Sequence, residues 1–405
     1  MKIQFKNRTS ARSGRPCRIL MLITSLVQGG GAESQVVRLS IELKSRGYDV
    51  MLVSLVPPLA HLDELEQAQI RVHSLNMEPG VPDVRAVFTL RNTIRSFCPD
   101  IVHCHMFHAN LLGRVTRLLC RIPVLICTAH SVRENSRKGG PSWHREMLYR
   151  VTNHMADRTT TICQAGYERY VNVGAASREK FTVIPNGIDT DKFSRWSERR
   201  SRARHALRLN DTFVWLAVGR LVVQKDYPTL LQAFEQLGNK KVTLLIVGSG
   251  PLKGALLQRC ADLQLDGRVR FCGESKDMLD FYNAADAFVM SSQTEGLPMA
   301  ALEATATGLP CVVTNVGGMP EIVMDNVGGH VVSPGNPAEL ASALQHVMQA
   351  SPESRQAMGR AAREHCRANY HIERIVQKWM DLYAECYSFA QARGNTSPAI
   401  ELSAH

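Results

Sequence analysis

From residue 18 onward, short apolar runs of strand length alternate with stretches in which apolar residues return every three or four positions. In the first half, runs at 18–25 (RILMLITS), 50–55, 71–74, 124–129, 158–163 and 179–184 predict strands, and a further strand ends in DIVHCH near residue 105. Helical periodicity separates them at 33–46, 62–68 and 84–96. The second half repeats the design, with strands at 213–218, 242–247, 269–273, 287–291 and 311–316 and a helix at 278–285. This alternation is that of an α/β protein with parallel sheets. Past residue 337 the pattern turns helical, over 337–350 and 352–390.

The stretch 286–320, DAFVMSSQTEGLPMAALEATATGLPCVVTNVGGMP, reads as strand, loop, short helix and strand. Pro298 suits the first helical turn, and Gly308 with Pro310 suits its end. The helix carries Met299, Ala300, Ala301, Leu302, Ala304 and Ala306, so it should lie buried on nearly every side. Glu303 in its middle then needs a hydrogen-bond partner or a ligand. Glu295, in the preceding loop, is a second acid. Eight positions along a continuous helix span roughly 12 Å. That exceeds the roughly 5 to 9.5 Å between the two carboxyls of a glycoside hydrolase, although a bent loop would shorten it. A ligand lying across the helix start fits better, because free N–H groups and the positive dipole end favour phosphate there.

Glu295, Gly296, Leu297, Pro298 and Glu303, with GGMPE after them, resemble the Glu-x7-Glu motif of the retaining glycosyltransferase family 4, whose members have the GT-B fold. The resemblance implies that Glu295 contacts the donor sugar and Glu303 the nucleoside ribose. It places Gly296, Leu297, Pro298, Met299 and Ala300 around the donor.

Other motifs join it. QGGGA at 28–32 puts a glycine turn between the first strand and its helix, as a Rossmann-like half begins. The spacing is not GxGxxG, and no acid stands at a strand end for a dinucleotide ribose. The resemblance puts Gly30 and Gly31 on the cleft. DIVHCHMFH offers His103, Cys104, His105 and His108 to a metal. On a strand, however, 103 and 105 share a face and 104 takes the other, no second cluster stands at ligand spacing, and the segment resembles the family's Asp-x-x-His-x-His. His130 (ICTAHS) ends a strand, where open α/β sheets bind ligands. A hydrogen-bonded structural histidine is the alternative, and the family sets a Thr-x-His histidine against the donor sugar. PNGID at 185–189 resembles the interdomain segment. In GRLVVQK, Gly219, Arg220 and Lys225 put two cations at a strand end ahead of a helix, where a diphosphate could be clamped. Surface salt bridging is the alternative, and the pair is similar to the family's Gly-Arg…Lys. VGSGP, with Gly248 and Gly250, resembles Val-Gly-x-Gly-Pro. VRFCG, with Phe271 and Gly273, is where the family forms its nucleobase pocket, mainly through backbone groups.

Composition narrows the class. The chain has 405 residues, 44% apolar and 21% charged, enough for two ordinary cores. No run of eighteen apolar residues appears. The basic N-terminus lacks a signal-peptide pattern, and the eleven cysteines in apolar contexts suggest reduced thiols. A net charge of +11 implies attraction to an anion. The excess gathers in the N-terminal tail and at 133–150 and 195–208, and no aromatic interleaving suggests specific nucleic-acid recognition. A solvated basic face and an anionic membrane surface both account for it. The segment 133–150, with Trp143, Met147, Leu148 and Tyr149, is of the kind that rests on headgroups. Packing on its own domain is the other reading.

The resemblance therefore implies an α/β, GT-B protein. Its parts would be a disordered extension (1–16), an acceptor-side Rossmann-like domain (17–192), a nucleotide-sugar domain (193–370), a helix crossing back to the first domain (371–390) and a disordered tail (391–405). The implied enzyme is a retaining, metal-independent hexosyltransferase of bacterial envelope polysaccharide assembly. It has no cofactor, takes a UDP- or GDP-sugar donor and a saccharide or lipid-linked saccharide acceptor, and lies in the cytoplasm or peripherally on the inner face of the plasma membrane. His130, Arg220, Lys225 and Glu295 are its candidate catalytic residues. A GT-B sugar-nucleotide epimerase, a dinucleotide-dependent oxidoreductase and a basic nucleic-acid scaffold are the rivals.

Overall fold

The computed structural model describes residues 15–132, 143–209, 211–238, 241–275, 277–394 and the backbone of 400–401. The expected extension over 1–14, most of the basic loop at 133–142 and most of the tail lie outside the described residues. Two parallel sheets organise the chain. The first holds β1 (Arg18–Ile23), β2 (Asp49–Ser54), β3 (Arg71–Ser74), β4 (Ile101–His105), β5 (Val124–Ala129), β6 (Arg158–Thr161) and β7 (Phe181–Val183). Their order is β3-β2-β1-β4-β5-β6-β7. The second holds β8 (Phe213–Val218), β9 (Val242–Val247), β10 (Val269–Gly273), β11 (Ala287–Met290), β12 (Cys311–Thr314) and β13 (Gly329–Val332), in the order β10-β9-β8-β11-β12-β13.

Central strands such as RILMLI and VLICTA are apolar apart from Arg18 and Thr128 because helices cover both faces. The order reverses between β1 and β4 and again between β8 and β11. At such switch points, the loops beyond the carboxyl ends of the strands form a crevice. The described segments therefore offer two facing crevices.

Four helices position the site. Helix α1 (Gly31–Ser45) follows β1, and α2 (Met299–Thr307) follows β11. The residue before α2 is Pro298, which caps the helix with extended backbone and does not occupy its first turn as expected. Gly308 ends α2 in the left-handed region, φ 80°. Helix α3 (Pro352–Tyr370) packs on α2, and a Cβ on Gly359 would come 2.1 Å from the Gly308 carbonyl oxygen. Helix α4 (Ile372–Ala392) then returns to the first sheet. There Ile375, Val376, Trp379, Tyr383 and Tyr387 join Ile19, Met21, Ile101 and Ile126 in one core.

Three expectations change. The helix expected over 352–390 is two helices, broken at His371, whose ψ is 134°. The break is held by the interdomain segment: Ile188 donates to the Tyr370 carbonyl at 2.8 Å, Ile372 donates to the Ile188 carbonyl at 2.9 Å, and Thr190 Oγ1 lies 2.8 Å from His371 Nδ1. Arg15 and Pro16, expected to lie in the extension, belong to the ordered fold, because Arg15 is tied to Asp100 by two bonds of 2.8 and 2.9 Å. Third, the arginines of 195–208 are not all a solvated face. Arg199 pairs with Asp280 (2.7 Å) and Asp277 (2.5 Å), Arg200 with Asp286 (2.6 Å) and Arg204 with Asp286 (3.2 Å). They fasten the helix Ser197–Ala206 to the second domain.

Candidate active site

The loop Glu295–Pro298 lies where the two crevices meet. A Cβ built on Gly296 would lie 2.6 Å from the backbone oxygen of His130, so only glycine lets this loop rest on the end of β5. Beneath it, Gly318 N–H donates to the Gly296 carbonyl at 2.7 Å, and a Cβ on Gly317 (φ 56°) would lie 2.1 Å from the Glu295 carbonyl oxygen. From the interdomain segment, Asn186 Nδ2 donates to the Leu297 carbonyl at 2.9 Å. The EGLP turn is thus gripped by the backbone of His130 and of Gly317–Gly318 and by the Asn186 side chain.

That grip aims the acids. Glu295 Oε1 accepts from Lys225 Nζ and from Ser292 Oγ, each at 2.6 Å, and both members of the ion pair are mostly buried. Lys225 is brought there by the turn after β8. Ser291 Oγ donates to the carbonyls of Lys225 (3.0 Å) and Asp226 (3.1 Å), and Gln293 N–H donates to the Gln224 carbonyl at 2.8 Å. Glycines let the neighbouring turns nest: a Cβ on Gly248 would meet the Gly219 carbonyl oxygen at 2.1 Å, and one on Gly250 the Leu221 carbonyl oxygen at 2.5 Å. Arg220 is exposed on this nest and has no ion-pair partner among the described residues. Gly273 accepts from Gly248 N–H at 2.7 Å, which sets the half-buried Phe271 and the end of β10 beside the same turn.

Along α2, the N–H groups of Met299 and Ala300 precede the first intrahelical bonds, which Ala301 and Leu302 make to Pro298. From the other domain, Gly31 approaches, its Cβ position 3.5 Å from Met299 Cγ. At Gly30 a Cβ would meet the folded-back Glu33 carboxylate, the movable end of a side chain. Two helix starts, each with the positive end of its dipole, therefore meet across the crevice.

One turn further along, Glu303 Oε2 accepts from Tyr282 Oη at 2.7 Å. Desolvation raises the Glu303 carboxyl to about 7, against the lowering effect of that bond and of Arg38 and Lys192. The sign for stability follows. From about 4.5 to about 7 the unfolded chain has released this proton while the folded chain keeps it, so rising pH destabilises the fold across that window and not below or above it. Replacing Glu303→Gln should remove the slope, which is at most about 1.4 kcal/mol per pH unit. The melting temperature of wild type relative to the variant should fall between pH 5 and 7 and level off by pH 8. A constant difference would show that the carboxyl titrates normally.

On the first-domain side, His130 ends β5 with Nε2 3.1 Å from His105 Nδ1, and burial lowers its pKa to about 4. The structure thus brings Gly31, His130, Lys225, Glu295 and the start of α2 around one cleft. Tyr282, Ser292, Gly317, Gly318 and His105 touch these residues too, although only GGMP and the His-x-His spacing marked any of them in sequence. His103, Cys104, His105 and His108 do not gather into a metal cluster, and none of that kind occurs among the described residues.

Two nucleotide-binding-type domains facing across such a cleft define a GT-B glycosyltransferase. Residues 30–187 match the model described as glycosyl transferase 4-like domain and residues 198–365 the one described as glycosyl transferases group 1. The chain belongs to this group 1, family 4-like class of glycosyltransferases. It is 27% identical over 315 residues to the UDP-Gal:alpha-D-GlcNAc-diphosphoundecaprenol alpha-1,3-galactosyltransferase of Escherichia coli, covering 75% of this chain and 80% of that one. It is 24% identical over 352 residues to the capsular polysaccharide biosynthesis glycosyltransferase CapM of Staphylococcus aureus, covering 84% and 91%. Among solved structures, Anabaena Alr3699/HepE in complex with UDP and glucose superposes with a TM-score of 0.81 at 22% identity, over 91% of this chain and 100% of that one.

Proposed function

We propose that the protein is a retaining hexosyltransferase that moves a sugar from a nucleoside-diphosphate donor, UDP-linked in the first instance, to a hydroxyl of a lipid-linked or growing saccharide in cell-surface polysaccharide synthesis. The division near residue 192 into acceptor-side and donor-side domains belongs to the same reading. The observation that carries it is the docking of Gly296 on the His130 carbonyl, which brings the strand-end histidine of one domain to the loop of the Lys225–Glu295 pair in the other. Departure of the diphosphate is the demanding step. Arg220, Lys225 and the first N–H groups of α2 would stabilise the charge that develops on it, so the protein's own cations fill the place of a divalent ion. Glu295 would hold sugar hydroxyls and Glu303 those of the ribose. No enzymic nucleophile is assigned beside the anomeric carbon, so front-face substitution through an oxocarbenium-like state is the working mechanism. The E. coli relative's named substrates, a UDP-sugar and a diphosphoundecaprenol-linked sugar, favour this donor and acceptor class.

A membrane surface completes the reading. Among the described residues no helix is long and apolar enough to cross a bilayer. The helix Trp143–Thr152, however, exposes Trp143, Met147, Leu148 and Val151 beside His144, Arg145 and Arg150, as a helix lying in the headgroup layer would. One preparation tests both parts. A UDP-sugar should raise the melting temperature more than the matching GDP- and ADP-sugars, and the protein should sediment with anionic but not zwitterionic vesicles. A donor shift from none of the three counts against the transferase reading. Equal sedimentation with both vesicle types, or with neither, counts against the surface.

A further inference from the structure

Three histidine rings stand in a row in the first domain, His103 and His105 buried behind the partly exposed His130. His103 and His105 lie on one face of β4 with ring centroids 3.9 Å apart, and the His105 and His130 centroids are 5.3 Å apart. The three rings are bonded differently. Both nitrogens of His103 are satisfied, Nδ1 by Tyr383 Oη and Nε2 by Thr128 Oγ1, each at 2.7 Å, and the ring lies 4.6 Å from Trp379 of α4. His103 therefore has no hydrogen-bonding group left for its neighbour and acts as a wall. His105, 2% exposed, spends Nδ1 on His130 Nε2 at 3.1 Å. Its Nε2, and His130 Nδ1, are buried and have no hydrogen-bond partner among the described residues. Two orphaned polar atoms at the end of one strand pair cost folding free energy that a ligand can recover.

Proton counting constrains what that ligand is. Burial holds both rings in their neutral form, the lowering at His105 being aided by His103 and His130. Each ring then carries one N–H, and the bond between them needs one donor and one acceptor. If His105 Nδ1–H donates, His130 must carry its proton on Nδ1. If His130 Nε2–H donates, His105 must carry its proton on Nε2. The two rings are therefore always the same tautomer. In either state one orphaned nitrogen is a donor and the other an acceptor.

We propose that His105 is a positioning residue that couples the tautomer of His130 to its own, and that the pair is built to meet hydroxyl groups, which both donate and accept. A phosphate or carboxylate, which only accepts, and an ammonium, which only donates, each satisfy just one of the two nitrogens. This rests on the transferase reading for the identity of the hydroxyls, which belong to donor or acceptor sugar, but the coupling of the rings stands on the geometry alone.

The test is 15N spectroscopy of ring nitrogens in histidine-labelled protein, where protonated and bare nitrogens are well separated, with resonances assigned by single replacements. In wild type, His105 and His130 should show the same tautomer, or the same proportions of the two. His105→Phe, which keeps a ring and removes the bond, should change the proportions of the two forms in His130 and lower kcat/KM, by roughly ten- to a hundredfold on the scale of outer-shell partners of metal-bound histidines. His105→Asn, whose amide can present either its N–H or its oxygen at the position of Nδ1, should restore the hydrogen bond to His130 and most of the rate. Opposite tautomers in the two rings, or an unchanged His130 in His105→Phe, overturns the proposal, and the wild-type spectrum decides even if that variant fails to fold. Coupled rings in a protein that neither binds nor turns over any nucleotide sugar would overturn the functional reading instead.

Discussion

Lys225→Ala should lower transfer turnover by about a hundred- to a thousandfold, the cost of removing one preorganised group from developing negative charge, or ~2.7–4 kcal/mol. Lys225 is not a free surface cation: its ammonium is held 2.6 Å from Glu295, and both side chains are mostly withdrawn from solvent. Part of any loss would therefore come from leaving Glu295 with only Ser292 for company, since breaking a mostly buried pair strands the other charge. A double-mutant cycle separates the two effects. If Lys225 serves only to neutralise Glu295, the double variant Lys225→Ala/Glu295→Gln should recover most of the activity lost in Lys225→Ala. If Lys225 stabilises the departing diphosphate, the double variant should be as slow as Lys225→Ala or slower, while its melting temperature recovers. Turnover of folded Lys225→Ala within twofold of wild type would remove the lysine from the mechanism.

How much of this was readable beforehand depends on sequence separation. The EGLPMAALE segment announces its own geometry: a glycine-proline turn, an apolar helix and two acids at a fixed interval. The strands are legible for a similar reason, since RILMLI or VTLLIV has no polar face to leave in water. What the sequence withholds is partnership at a distance. Nothing near Glu303 shows that Tyr282, twenty-one positions earlier, supplies its hydrogen bond. The arginines near residue 200 read as a basic face because charge is visible and Asp277, Asp280 and Asp286 are too far along the chain to be read with them. The break at His371 is set by Ile188, whose backbone takes over bonds that a continuous helix would have made for itself. The Lys225–Glu295 contact lies between these cases, because both residues were marked but the loop that joins them is closed by bonds from the Ser291 hydroxyl and the Gln293 N–H to distant carbonyls.

Gly317→Ala should be the most damaging change that removes no functional group. At φ 56° the backbone is left-handed, which a side chain tolerates poorly, and the added methyl would sit 2.1 Å from the Glu295 carbonyl oxygen and 2.9 Å from that of Gly296. Both obstacles are backbone, so no rotamer change relieves them, and the EGLP turn must move by about 1 Å to reach ordinary contact. A displacement of that size at a reacting centre costs about a hundredfold. It would act at once on the Lys225–Glu295 pair and on the seat of Gly296 against His130. Gly267→Ala supplies the control. It has the same left-handed requirement, φ 79°, but a methyl there meets nothing within 4 Å. Both variants should lose a comparable amount of stability to backbone strain, on the order of 1 kcal/mol, with a further loss in Gly317→Ala from the contact. Only Gly317→Ala should lose transfer by about a hundredfold. If the two variants transfer sugar equally well, the position of the EGLP turn does not limit the reaction, and the crevice needs a different account of what holds its acids in place.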